Sequence, residues 1–203
     1  MDEGYLGKAS QILVSWNVET VAHKTTQNSW KIKTSEGGGT LNNFVSHTFY
    51  YLEWLMGPIT GLNCNLHGED QLVFLELKFK NGVSSVVSIS TNSPFGNGHR
   101  IELFGSEGRL VLENAGTDYM KEFVLTGKNA HSDIHLDSPE RNSPLDGRIE
   151  TVSKLTRRFV DWIETGKAQY PNMKHAARVE YLIEKSRESD QKKIWQHIDE
   201  FAL

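Results

Sequence analysis

The sequence predicts an α+β domain, a predominantly antiparallel open-faced β-sheet with helices packed on one face. Three observations lead there. In LVFLELKFK, Val73, Leu75, Leu77 and Phe79 alternate with Glu76, Lys78 and Lys80, and VSSVVSIST follows directly. Asn81-Gly82 lies between these runs, a pair that supplies the positive φ angles of a tight hairpin turn. Strand patterns are grouped in the middle of the chain, with helical spacing before and after them, which is the order of an α+β fold rather than an alternating α/β one.

The elements follow in order. Ile12, Val14, Trp16 and Val18 alternate with Leu13, Ser15 and Asn17, the period of a half-buried strand, and the polar residues 19–29 read as a loop. Residues 41–56 carry a helix. Ile59–Leu66 is a strand, and HRIELF turns through Gly105-Ser-Glu-Gly108 into RLVLE as a second hairpin. A further strand is expected over Tyr119–Thr126. Residues 127–148, with Pro139 and Pro144, read as a long polar loop. Ile149, Val152, Leu155, Phe159, Trp162 and Ile163 recur at three- and four-residue intervals and stop near Gly166 and Pro171. Ala176, Val179, Leu182, Ile183 and Ser186 repeat the spacing, so two helices follow the sheet. The whole chain, 1–203, is expected to be one domain, with 190–203 as an appended helical tail.

The bulk composition excludes several function classes. A chain of 203 residues falls in the usual single-domain range of about 50–250 and can bury roughly 70% of its unfolded surface. Twenty-two basic residues against 26 acidic ones give a formal charge of −4, and no basic block marks a nucleic-acid or anionic-membrane surface. No apolar run approaches the ~18 residues of a membrane span, and the acidic N-terminus lacks an apolar leader segment. Cys64 is the single cysteine, and there is no Asn-x-Ser/Thr sequon. A reducing, cytoplasmic location is expected.

The stretch EGGGTLNNFVSHTFYYLEWLMG, residues 36–57, bears most on function. At about 100° per residue, Leu41, Phe44, Val45, Thr48, Leu52, Leu55 and Met56 form a core stripe. Asn43, His47, Tyr50 and Trp54 fall on the opposite side, where a surface helix ordinarily carries Lys, Glu and Gln. An amide, an imidazole and two amphipathic aromatics suit a pocket or an interface. Gly37–Gly39 precede them, so backbone can approach closely at a helix N-terminus that favours oxygen partners. Two readings stand side by side: a helix buried on both faces with His47 a core histidine, or a ligand site.

Gly37-Gly38-Gly39-Thr40-Leu41, then Asn43, His47 and Trp54-Leu55-x-Gly57, resemble the substrate-side helix of the Gfo/Idh/MocA family of nicotinamide-dependent oxidoreductases. LGKASQILVSW resembles the strand that opens that family's C-terminal domain, and Trp30-Lys31 stands where the family has Trp-Arg. IELFGSEGRLVLE and YPNMKHAARVEYLIEKSRES resemble its hairpin and closing helix. The resemblance implies a C-terminal, substrate-binding and oligomerisation domain without its N-terminal Rossmann domain, either an excised fragment or a truncated reading frame. It implies NAD or NADP bound only with that missing domain and none by this chain alone, which is not active by itself. The implied substrate is the hydroxyl of a sugar, sugar derivative or cyclitol, and the implied assembly is a homodimer or tetramer through the open sheet face. His47 matches the family histidine that contacts the reacting hydroxyl. Asn43 matches an aspartate, and an amide orients a hydroxyl but accepts no transferred proton. Trp30, Lys31 and Tyr50 complete the expected substrate-binding set. The alternative is a non-catalytic oligomerisation or ligand-sensing module built on the same scaffold.

Other constellations read as ordinary surface. Gly96-Asn97-Gly98 has no third glycine and precedes a strand, so it is not a dinucleotide loop. His131, Asp133, His135 and Asp137 alternate beside a proline-containing loop and read as solvated rather than metal-binding. His67, His99 and His175 have no ligand-spaced companions. Arg157, Arg158 and Arg187 read as solvated helix faces.

Overall fold

The structure is a computed structural model that describes residues 4–25, 28–116, 122–138 and 146–199. β1 (Ala9–Asn17) leads through α1 (Val21–Lys24) and two short 3₁₀ turns, Trp30–Ile32 and Thr34–Glu36, to a π-helical turn at Leu41–Val45. That turn runs straight into α2 (Ser46–Met56). β2 (Ile59–His67), β3 (Leu72–Phe79), β4 (Ser84–Ser90), β5 (Gly98–Gly105) and β6 (Gly108–Asn114) follow. β7 (Val124–Asn129) and β8 (Asp133–Asp137) precede α3 (Gly147–Thr165), α4 (Met173–Lys192) and β9 (Gln196–His197).

Among the described residues the strands make one sheet in the order β8-β7-β6-β5-β1-β4-β3-β2-β9. β1 and β4 run parallel, and every other neighbouring pair is antiparallel. The α+β, mostly antiparallel architecture is therefore as expected. The parallel pair arises because the chain leaves β1 through α2 and returns by the β2-β3-β4 meander, since parallel neighbours need a long crossover. Alternation along β1, β3 and β4 puts Ile12, Val14, Trp16, Val73, Leu75, Leu77, Phe79, Val87 and Ile89 into the core, against Leu41, Val45, Phe49 and Leu52. Phe49 belongs to this core although the apolar stripe did not include it.

α4 lies close against β2 because Ser186 and Ser189, both fully buried, keep its contact face small. The backbone N–H groups of β2 that β9 does not reach find side chains on this helix. Cys64 N donates to Ser189 Oγ (3.0 Å) and Leu66 N to Asp190 Oδ1 (2.9 Å). A strand edge that would otherwise present free donors is thereby closed. Burial pushes the Cys64 thiol up to about 12, so it is an inert core residue.

Five expectations need correcting. Only Gly82 of the Asn81-Gly82 pair has positive φ (+88°); the connection is a four-residue loop, and Asn81 instead donates to Met56 O (3.0 Å) and accepts from Val83 N (3.0 Å). The segment read as a loop from residue 127 contains the end of β7 and all of β8. These edge strands are half-exposed or exposed, so the apolar alternation that identifies a buried strand is missing. The strand expected over Tyr119–Thr126 begins at Val124, and residues 117–121 lie outside the described residues. The closing segment is helical only through Lys192; Gln196–His197 then pairs with β2, and residues 200–203 lie outside the described residues. Finally, α3 does not bury its apolar stripe: Ile149 is 52% exposed, Phe159 59% and Ile163 68%.

Candidate active site

The glycines before α2 serve the chain's own packing. A Cβ on Gly38 would lie 2.1 Å from Trp30 O, and one on Gly39 would lie 2.0 Å from Asp70 Oδ2. Gly37 and Gly39 have φ of +82° and +94°, conformations that L side chains rarely adopt. The helix N-terminus that an external oxygen ligand was expected to use is already capped from within. Asp70 Oδ1 accepts from Leu41 N (3.1 Å), and Asp70 O accepts from Thr40 N (2.9 Å). This cap comes from the turn after β2, and no local signal in the sequence points to it.

Burial pushes the Asp70 carboxyl up to about 6, against the opposing pull of the Leu41 and Thr40 donors and Arg187. A carboxyl whose folded pKa exceeds its unfolded value binds its proton more tightly in the native state. Stability is thus fully present below about pH 4 and declines as pH rises toward 6. Asp70→Asn retains the acceptor without the buried charge. It is expected to flatten this dependence and to gain about 1–3 kcal/mol over wild type at pH 7.5, read from urea midpoints at pH 4.5 and 7.5.

Asn43 is a latch. Its Nδ2 donates to Lys31 O and to Gly39 O, both at 2.9 Å, and so holds the Trp30–Gly39 segment against the helix. Asn42 acts likewise: Nδ2 donates to Gly37 O (2.8 Å), while Oδ1 accepts from Arg187 Nη2 (2.8 Å). Arg187 is therefore tied to this loop rather than merely solvated. A carboxylate at position 43 would face two carbonyl oxygens with nothing to donate. Asn43→Asp is expected to cost about 1–3 kcal/mol, more at pH 7.5 than at pH 4.5, as measured by thermal unfolding at the two values.

His47 stands one turn beyond Asn43 on the exposed side of α2. Partial desolvation holds its pKa below the ordinary histidine value, although the ring remains open to water. The π-helical turn just before it is of a kind that occurs frequently at functional sites. Beneath lies a group built on His99, which the sequence reads as surface without ligand-spaced companions. His99, 6% exposed, stacks flat on Trp16 at 4.1 Å with 4° between the planes, and its Nε2 is 3.2 Å from the Tyr51 hydroxyl. Phe44 meets Trp16 edge-on at 4.7 Å, and Phe123 lies 5.8 Å from His99. Burial, with the nearby His47 adding to it, pushes His99 down to about 4, so it is neutral at physiological pH. Among the described residues the buried Trp16 Nε1–H finds no acceptor. The signal for His99 was its register: it pairs with Trp16 across β1 and β5 and alternates with Ile101 and Leu103.

The other expected residues separate into two groups. Trp30 and Lys31 are exposed on the 3₁₀ turn that Asn43 holds. Tyr50 points instead toward α4, with its ring 5.7 Å from His175, which in turn meets Tyr170 at 5.3 Å. Trp54, 77% exposed, continues the same face of α2. Among the described residues no three His, Cys, Asp or Glu side chains converge as a metal site, and no helix is long and apolar enough to cross a membrane.

Gly96-Asn97-Gly98 is not a dinucleotide loop in the structure either. Gly96 and Gly98 adjoin the start of β5, not a helix N-terminus. A Cβ on either would lie 2.1 Å from the carbonyl of Asn17 or Asn114, so both are strand-packing glycines.

A family model for the GFO/IDH/MocA C-terminal domain matches residues 1–111, more than half of the chain. The chain belongs to this family. An uncharacterized oxidoreductase of Synechocystis sp. is 26% identical over 222 aligned positions, covering 96% of this chain and 59% of that protein. Levoglucosan dehydrogenase in complex with NADH and levoglucosan has the same fold, with a TM-score of 0.80 at 18% identity over 98% of this chain and 60% of that one. An NAD binding oxidoreductase from Klebsiella pneumoniae gives 0.79 at 15% identity, over 98% and 61%. The chain thus spans about three-fifths of the length of these relatives.

Proposed function

We propose that this chain is the substrate-binding and subunit-contact domain of an NAD(P)-dependent oxidoreductase acting on the hydroxyl of a sugar, sugar derivative or cyclitol. The observation that carries the proposal is His47, presented to solvent on the helix face opposite the core, in the spacing after Gly37–Gly39 and Asn43 that resembles the family's substrate-side helix. A neutral imidazole there accepts the hydroxyl proton. His99, neutral and near enough to His47 to feel its charge, stands behind it and suits an uncharged, polyhydroxylated ligand. The dinucleotide belongs to a Rossmann domain outside these residues, and the chain by itself does not turn over. The test is direct. The complete protein, incubated with NAD or NADP and a panel of aldoses, anhydrosugars and cyclitols, should produce reduced nicotinamide with at least one of them.

The second reading is a non-catalytic sensing or oligomerisation module. It is supported by Asn43, which replaces an acid and commits both amide protons to the loop. Sugar binding without turnover in the same panel would favour it. In either case the open sheet face, where Phe74 (42%) and Val86 (49%) stand exposed among serines, is the surface we assign to a second copy. The cytoplasm suits a chain whose single thiol is buried and inert.

A further inference from the structure

Arg187 stands on α4 between Ser186 and Ser189, both fully buried, so its guanidinium is carried by a fixed stretch of helix. Its tie within α4, Nη1 to Glu184 at 3.5 Å, is long, and the side chain is 37% exposed. The short bond goes to another element. Nη2 donates to Asn42 Oδ1 on the π-helical turn at 2.8 Å.

Asn42 passes this contact on. Its Nδ2 donates to Gly37 O (2.8 Å) and Gly38 O (3.3 Å), while Asn43 Nδ2 donates to Gly39 O and Lys31 O. The two amides thus take all three glycine carbonyls. Glycine loses more conformational freedom on folding than any other residue, so this segment keeps one shape only while side chains hold it. An asparagine can turn its amide end over and exchange oxygen for nitrogen. Turned that way, Asn42 would set its oxygen against two carbonyls. The Arg187 N–H fixes the amide the right way round, and a charged donor on its oxygen strengthens the bonds that its nitrogen donates.

The glycines lead back to the turn that bears Trp30, 52% exposed, and Lys31. Gly38 N donates to Lys33 O and Gly39 N to Lys31 O, both at 2.9 Å. Movement of the glycines therefore carries that turn with it, on the approach to Asn43 and His47.

We propose that Arg187 is a positioning residue for the substrate: through Asn42 it sets where Trp30 and Lys31 stand relative to His47, without touching the sugar itself. The inference rests on the dehydrogenase reading, in which Trp30 and Lys31 belong to the substrate-binding set. Its effect falls on binding rather than on the chemical step, because His47 is carried by α2 and not by the glycine segment.

The test compares Arg187→Ala, Arg187→Lys and Asn42→Asp in the complete protein, by amide hydrogen exchange and by kinetics with the sugar found in the panel above. Arg187→Ala should speed exchange about tenfold at residues 37–42 and leave β3 unchanged. It should raise KM about tenfold and keep kcat within about twofold. A single N–H of the arginine fork reaches Asn42, so Arg187→Lys, which retains a donor, should recover most of the lost KM. Asn42→Asp keeps the acceptor for Arg187 but loses the donor to the glycines, and should repeat the Arg187→Ala result although the ion pair can form. An unchanged KM in Arg187→Ala overturns the proposal even where sugar is oxidised, and so does a KM rise that Asn42→Asp does not share or a loss confined to kcat. If no sugar in the panel yields reduced nicotinamide, the dehydrogenase reading falls and the positioning role with it.

Discussion

Replacing His47 by alanine in the complete protein is expected to lower kcat/KM about 10²–10⁴-fold, the usual contribution of a positioned general base. The side chain is exposed and makes no hydrogen bond among the described residues, so stability should change by no more than about 0.5 kcal/mol. The two readouts together separate a chemical role from a structural one. His47→Gln gives a sharper version, because glutamine keeps a hydrogen-bonding end of similar reach but cannot carry the proton. It should preserve sugar binding and lose turnover. The pH dependence carries a sign. Only the neutral imidazole acts as base, and the histidine is held below its ordinary pKa. Activity should therefore persist further into acid than an ordinary histidine allows and fall only as pH drops through that lowered value. A His47→Gln protein that oxidises sugar at the wild-type rate would sink the assignment.

Arg178→Ala should be the most destabilising single change among the polar residues, at about 3–5 kcal/mol, because it strands a buried partner. Arg178 Nε and Nη2 grip the Glu53 carboxylate at 2.8–3.2 Å, Nη2 also donates to Ile59 O (2.9 Å), and Nη1 donates to Asp199 O (3.0 Å). The two side chains are only 12% and 19% exposed. One guanidinium thus joins α2, α4, the start of β2 and the last described residues. Without it Glu53 keeps, among the described residues, only the Ile59 N–H (2.9 Å) and an uncompensated charge. At roughly 2–4 °C per kcal/mol for a chain of this size, the thermal midpoint should fall by about 10 °C. Arg178→Lys should recover little, since a single ammonium cannot reproduce the fork. Arg157→Ala, on the exposed α3, serves as the control and should change stability by less than about 0.5 kcal/mol. Equal midpoints for the Arg178 and Arg157 variants would refute the clamp.

The parts of the fold legible in the sequence were those with one wet face and one dry face. Val73, Leu75, Leu77 and Phe79 announce β3 because alternate residues of a strand face opposite sides of the sheet. β8 carries the same geometry at an exposed edge and gives no such signal, which is why Asp133–Asp137 read as loop. The three- and four-residue spacing of α3 was equally legible as a helix. What it meant was not, because periodicity reports that a face needs covering and says nothing about the cover.

The site divides in the same way. By itself the sequence determined that the helical run from residue 41 to 56 sets Asn43, His47, Tyr50 and Trp54 opposite its core stripe, because helical spacing is a local property. Only the tertiary structure decided what each of them does. Asn43 holds a loop because Lys31 and Gly39 bring their carbonyls to it. Gly39 makes room for Asp70, 31 residues downstream, and Gly38 for the Trp30 carbonyl. His99 meets Trp16 because β1 and β5 pair in the register that lays one ring on the other. Hydrogen bonds and ring contacts act over about 3–6 Å, and groups far apart along the chain reach that distance only once the sheet has formed.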